Sequence, residues 1–173
     1  MAGGAISRWP PVGLRPMMHG MDTIVVPVDF SDASGRLLDA AEAEARRRGA
    51  KVLLLHVIEP AAEVAGFETD PQMMRLRVGQ SLEDEKRVEA ARLKEMAGSL
   101  RSRGLECEAS VKFGLPADEI VAAAKDNRAV LVVVGSHGHG ALYHLFAGSV
   151  VTGVLRQTGC QVLVVPLRQA PKN

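Results

Sequence analysis

The chain is poor in aromatic residues, which make up 3% of its 173 residues. Proteins that bind single-stranded nucleic acid stack bases on aromatic side chains, so this scarcity argues against such a partner. The formal net charge is +1 at pH 7, which gives no electrostatic attraction toward nucleic acid or an anionic membrane. No apolar run approaches the roughly 20 residues that cross a bilayer. These features argue against a nucleic-acid partner and against association with a membrane.

Cysteine is also scarce, because Cys107 and Cys160 are the only two in the chain. Neither has a neighbour at the spacing of a metal site, so no zinc centre is predicted. Two isolated thiols are typical of a reducing compartment, where a structural role is expected rather than a disulfide.

The composition is that of a globular protein, with 47% apolar and 24% charged residues, and the length suits one domain. Residues 1–21 differ from the rest, since they contain arginine but no acidic residue and are broken by glycine and proline. They lack the continuous apolar stretch of a secretory signal. We expect a disordered N-terminal extension over residues 1–21, or a start placed upstream of the true one. The domain then covers residues 22–168, with a C-terminal tail at 169–173.

Apolar runs predict most of the strands. Continuous runs, rather than alternating ones, are typical of strands buried on both faces of a parallel sheet. Four such runs occur, at Thr23–Val28, Val52–Ile58, Val130–Val134 and Gln161–Val165. The segment Glu106–Val111 instead alternates between polar and apolar residues, which indicates a strand near a sheet edge.

Helical patterns separate these strands, including a long charged helix from about Pro71 to Arg103. The alternation predicts an α/β fold, in which a five-stranded parallel sheet with right-handed crossovers carries helices on both faces. Ligands of such sheets bind beyond the carboxyl ends of the strands, where the strand order switches direction. The residues to consider follow each strand: Asp29, Val57–Glu59, Phe113–Gly114 and Gly135–Gly140.

The glycines after the fourth strand form the sharpest pattern in the chain. Gly135 and Gly138 are followed, after nine intervening residues, by Gly148, which leads directly into Ser149 and a helical pattern. Glycine lets main-chain N–H groups approach an anion closely, and a helix start offers unpaired N–H groups, so this segment predicts a phosphate site. The alternative is a strand-end turn at Gly135 and a packing glycine at Gly148. The Walker A pattern and the dinucleotide fingerprint are both absent.

The segment contains no lysine between Gly135 and Ser149. Phosphoryl transfer needs such an electrophile, metal ligands and a base, and only weak candidates are present. We therefore predict nucleotide binding with little hydrolysis and assign no catalytic residue. A slow ATPase or a self-phosphorylating protein, with Ser149 or a neighbouring hydroxyl as acceptor, is the enzymatic alternative. A nucleotide-independent interaction protein is the third hypothesis.

Several polar residues near the predicted site have more than one interpretation. Asp29 could accept ribose hydroxyls, hold Mg²⁺ or cap the following helix. His137, with His139 and His144, could suggest a metal, but no acidic or cysteine partner is near, so His137 is predicted to donate to a phosphate oxygen. His56 is expected to be a satisfied core histidine. Val57 could contribute through its main chain.

Four segments closely resemble the universal stress protein family. They are IVVPVDFS (Ile24–Ser31), VLLLHVIE (Val52–Glu59), GSHGHG with GSV (Gly135–Gly140 and Gly148–Val150) and CQVLVVP (Cys160–Pro166). The likeness covers about Asp22 to Leu167. Its glycine motif is similar to that of the ATP-binding members, which separates them from members that lack the motif.

The resemblance implies a Rossmann-like fold, similar to that of the adenine nucleotide α-hydrolases, with strand order 3-2-1-4-5. It implies a cytoplasmic homodimer that binds ATP, or ADP or AMP, with Mg²⁺ or Mn²⁺, as a nucleotide-dependent stress-response or signalling module. Pro27, Val28 and Asp29 would line the adenosine, and Val57 would meet adenine through its main chain. Gly135, Gly138, Gly148, Ser149 and Val150 would hold the phosphates. The fifth strand (Val162, Leu163, Val164 and Val165) would pair across the dimer.

Overall fold

A computed structural model describes residues 21–31, 34–59, 71–136 and 149–166. Strands and helices alternate along the chain, and their bounds are β1 Thr23–Pro27, α1 Ser34–Arg48, β2 Lys51–Ile58, α2 Pro71–Ser102, β3 Cys107–Phe113, α3 Pro116–Asp126, β4 Leu131–Gly135, α4 Ser149–Gln157 and β5 Gln161–Val165. None of the described helices is long and apolar enough to cross a membrane.

The strands form one parallel sheet in the order β3-β2-β1-β4-β5, which confirms the predicted fold class and strand order. The predicted strand bounds need small corrections. The third strand begins at Cys107 and continues to Phe113, beyond the predicted end at Val111, because its pairing with β2 runs on to Ile58. The first strand ends at Pro27, one residue earlier than predicted.

The two faces of the sheet carry separate apolar cores. Successive side chains of a strand point to opposite faces. Ile24 and Val26 of β1 therefore pack with α1 and α2, whereas Val25 packs with α3 and α4. All three are fully buried, as continuous apolar strands in the middle of a parallel sheet should be. The buried face of α1 carries an apolar stripe: Leu37, Leu38, Ala41 and Ala45.

Helices α3 and α4 approach closely at Gly153. A Cβ atom added at Gly153 would lie 2.6 Å from the Cβ of Ala117, far inside normal contact distance. The missing side chain therefore lets α4 lie against α3 at this depth. Ser149 begins α4 one turn before Gly153, so this contact sets where the start of α4 lies.

Candidate functional site

The strand order places the carboxyl ends of β1 and β4 side by side at the middle of the sheet. The chain leaves β1 toward α1, on one face, and α4, which follows β4, lies on the opposite face. A crevice opens where neighbouring strands send their connections to opposite faces, and α/β proteins bind ligands there. The predicted site residues that the structure describes belong to the ends of β1, β2 and β4 and to the start of α4.

Asp29 lies just beyond β1 and is exposed. One of its carboxylate oxygens, Oδ1, accepts a hydrogen bond from the main-chain N–H of Ser31 at 3.1 Å. Helix α1 begins only at Ser34, whose N–H donates to the carbonyl of Ser31 at 2.9 Å. Asp29 therefore supports the turn before α1 rather than its first turn. A carboxylate has further acceptor capacity, so this bond is compatible with a ligand contact as well.

Strand β2 extends past β1 at the carboxyl edge. Their register ends at Pro27 and Leu55, and the N–H of Val28 donates to the carbonyl of Leu55 at 2.8 Å. Along a parallel strand, main-chain groups of every second residue face the same neighbour. The N–H and C=O of Val57 therefore face the side of β1, two residues beyond the last register pair. This stagger leaves Val57 beyond the last register pair, with one donor and one acceptor on the side of β1.

The side chain and the main-chain groups of Val28 all contact other parts of the protein. Its side chain is 5% exposed and belongs to the core under α1 and α2. Its carbonyl lies 2.8 Å from Nδ1 of His56, and Nδ1 must donate because a carbonyl oxygen only accepts. His56 is thus half-buried and satisfied, as predicted. Val28 would therefore affect a site by setting the direction of the main chain after Pro27, the last residue of β1.

The glycine-containing segment 135–150, which is predicted to bind phosphate, is described only at its two ends. Gly135 closes β4 opposite Val165, and Ser149 is the exposed first residue of α4. Val150 packs partly against the core under α3 and α4. The other predicted residues, His137, Gly138 and Gly148, lie outside the described residues, as do His139 and His144. The start of a nine-residue helix offers unpaired N–H groups to an anion.

Protein ligands for a metal are few in the part of the chain that the structure describes. It contains no group of three or more histidine, cysteine or acidic residues close enough to hold an ion. A divalent cation at this edge would therefore be bound mainly through ligand phosphates and water, as Mg²⁺ often is.

Sequence reasoning missed Phe30 and Arg92. Phe30 follows Asp29 directly and has a φ angle of 56°, in the left-handed region. Its ring centroid lies 4.5 Å from that of His56, and the Arg92 guanidinium lies 4.4 Å from it. The available sequence signal for Phe30 was its position directly after Asp29, in a chain with few aromatic residues. Nothing in the sequence pattern singled out Arg92.

The model of the universal stress protein family matches residues 20–166 of this chain. The chain belongs to that family. A universal stress protein of Thermus aquaticus, encoded beside a QAH/OAS sulfhydrylase gene, is 33% identical over 143 residues, which cover 83% of this chain and 97% of that protein. The resemblance to the universal stress protein family is therefore confirmed.

Solved structures share the fold of this universal stress protein. The structure of MJ0577, a universal stress protein of Methanocaldococcus jannaschii, superposes with a TM-score of 0.73 at 24% identity, over 87% of this chain and 99% of that one. A universal stress protein in complex with cAMP gives a TM-score of 0.58 at 25% identity, over 87% of this chain and 100% of the other. One from Archaeoglobus fulgidus in complex with dAMP gives 0.55 at 25% identity, over 85% and 98%.

Proposed function

We propose that this universal stress protein binds an adenine nucleotide, ATP foremost, at the carboxyl edge between β1 and β4. The nucleotide would make it a stress-response or signalling module. The observation that carries the proposal is the stagger of β2, which turns the main-chain N–H and C=O of Val57 toward the side of β1. Structures of family members in complex with cAMP and dAMP support an adenine-containing ligand.

The donor and acceptor at Val57 suit adenine in particular. The Watson–Crick edge of adenine offers the N1 acceptor beside the N6 amino donor, so a peptide N–H and C=O can pair with both. Guanine presents the opposite pattern, with an N1–H donor and the O6 acceptor at the corresponding positions. In the orientation that suits adenine, guanine would place donor against donor and acceptor against acceptor. A mismatched polar group in a dry site costs about 1–3 kcal/mol. We therefore expect ATP to bind about tenfold or more tightly than GTP.

The remaining contacts follow from the ends of the neighbouring elements. The Asp29 carboxylate would accept hydrogen bonds from the ribose hydroxyls. The first N–H groups of α4, at Ser149 and Val150, would donate hydrogen bonds to the phosphates. Gly135, Gly138 and Gly148 would let the main chain approach, with His137 donating to a phosphate oxygen. Mg²⁺ or Mn²⁺ would be bound through phosphate oxygens and water.

Isothermal titration of the full chain with ATP, ADP, AMP and GTP, each with Mg²⁺, tests the proposal. Micromolar binding of ATP and weaker binding of GTP are expected. The variant Asp29→Asn keeps an acceptor for the Ser31 N–H but removes the charge, and should weaken binding. Asp22→Asn is the matched control, because Asp22 is exposed at the opposite, amino end of β1. No detectable heat with any adenine nucleotide would exclude this function.

Hydrolysis is expected to be slow, since the chain has no lysine between Gly135 and Ser149. Ser149 is exposed at the start of α4, which keeps self-phosphorylation there as a second candidate function. Mass spectrometry after incubation with ATP and Mg²⁺ decides between them, with Ser149→Ala as control. A bulky substitution at Gly138 or Gly148 that leaves the cellular phenotype unchanged would favour the nucleotide-independent hypothesis.

A further inference from the structure

The main chain of Phe30 adopts a conformation that its side chain disfavours. Its φ angle is 56°, and residues with a bulky side chain rarely occupy this left-handed region because Cβ crowds the main chain. Such a conformation persists only where the surroundings hold it in place. Because Phe30 follows Asp29 directly, whatever holds Phe30 also affects the direction of the Asp29 carboxylate.

Two side chains from distant parts of the chain contact the Phe30 ring. His56 of β2 lies 4.5 Å away between ring centroids, with the rings tilted by 45°. His56 is itself fixed, since its Nδ1 donates to the Val28 carbonyl at 2.8 Å. Arg92 of α2 places its guanidinium 4.4 Å from the Phe30 ring centroid, within the range of a cation–π contact. The same guanidinium approaches Glu89 at 3.3 Å, which helps to orient it.

Asp29 thus lies between two fixed points of the chain. On one side, the N–H and C=O of Val28 are both hydrogen-bonded. On the other side, Phe30 sets the direction in which the chain continues to Ser31, whose N–H reaches back to the Asp29 carboxylate at 3.1 Å. A change of Phe30 to a negative φ would move the Ser31 N–H and break this arrangement.

We propose that Arg92 is a positioning residue, which holds Phe30 in its left-handed conformation and thereby orients the Asp29 carboxylate. The ligand readout of this role rests on the proposed function, whereas the effect on the turn does not. Arg92 acts through Phe30, so its influence should not depend on the number of phosphates in the ligand.

The first test measures AMP and ATP affinity of the full chain by titration. Arg92→Met keeps most of the side-chain length but removes the cation, and should weaken both nucleotides equally, by about two- to fivefold. Arg92→Lys should retain part of the affinity. The matched control is Arg87→Met, because Arg87 lies on the same helix and pairs with Asp84 instead. An equal loss in Arg87→Met, a loss confined to ATP, or no loss would each overturn the proposal.

The second test follows the Ser31 amide proton by NMR hydrogen exchange in the nucleotide-free chain. Faster exchange in Arg92→Met than in Arg87→Met supports the proposal, and equal exchange overturns it. Phe30→Leu completes a double-mutant cycle, since Arg92→Met should have no further effect in that background. If the wild-type chain binds neither nucleotide, the proposed function fails, and the Ser31 amide still decides whether Arg92 controls the turn.

Discussion

Alanine substitutions at two helical glycines should change stability in opposite directions. Gly98 lies in α2, and a Cβ atom added there would meet no described atom within 4 Å outside its own stretch of helix. Gly153 lies in α4, where the added Cβ would be 2.6 Å from the Ala117 Cβ. The two substitutions are chemically identical, so the difference between them isolates the cost of the contact between α3 and α4.

The magnitude follows from two opposing effects. Replacing glycine by alanine inside a helix contributes about 0.8–1 kcal/mol to stability, and Gly98→Ala should gain up to that amount. At Gly153 two carbon atoms would have to separate by roughly 1 Å to reach a normal contact of about 3.5–4 Å. Overpacking of this kind costs about 1–3 kcal/mol. Gly153→Ala should therefore be less stable than Gly98→Ala by about 1–3 kcal/mol.

Urea unfolding followed by circular dichroism measures both free energies, and each 1 kcal/mol corresponds to about 2–4 °C in Tm for a chain of this size. Ala117→Gly removes the described atom that lies closest to the added Cβ. In that background Gly153→Ala should become stabilising. The reasoning is wrong if Gly153→Ala stabilises the wild-type chain as much as Gly98→Ala does. A displaced α4 should also weaken nucleotide binding, since Ser149 lies one turn earlier.

Other predictions concern the helix surface, the thiols and the sheet edge. Hydrogen bonds from Arg103, and to a smaller extent from Arg46, lower the pKa of Glu42 below its ordinary 4.5. The stabilisation that these hydrogen bonds give is present above pH 4.5 and is lost as the pH falls through the lowered pKa. Glu42→Gln should therefore lose less thermal stability than wild type on acidification; equal losses would contradict this. Burial raises the pKa of the Cys107 thiol, so a thiol reagent should label Cys160 first in the native chain. Equal labelling rates for the two thiols would contradict the burial of Cys107. If β5 pairs across a homodimer, Val164→Pro should give a monomer by light scattering, because its N–H points away from β4, and an unchanged mass would argue for another interface.

Much of the fold could be predicted because burial leaves a direct mark on sequence. The run Thr23–Val28 is apolar since β1 is covered on both faces, and the alternation of Glu106–Val111 reflects the edge position of β3. The strand order did not follow from the runs themselves. It came from the resemblance to the family, since the order depends on which faces the crossovers take. The predicted domain limits, homodimer and cytoplasmic location stay predictions.

Candidate site residues could be proposed from the sequence where phosphate binding favours certain residue types, and not where they depend on distant contacts. Gly135 and Ser149 stand out because glycine and a helix start are chemically suited to phosphate. The stagger of β2 past β1 has no sequence signal, because it depends on where Pro27 and Leu55 meet. The contact of Arg92 with Phe30 was equally hidden, since other charged residues of α2, such as Arg87 and Lys94, are exposed and look the same in the sequence.

If Val57 contacts the base as proposed, the stagger of β2 past β1 limits how base selectivity could change. Every amino acid except proline presents the same N–H and C=O at position 57, so a new side chain there could alter the strength of binding but not the kind of base preferred. Recoding would require a residue to be added to or removed from β2. That change would exchange the two faces of the strand and send core side chains to the wrong helices. A preference for adenine would therefore be difficult to lose without loss of the fold.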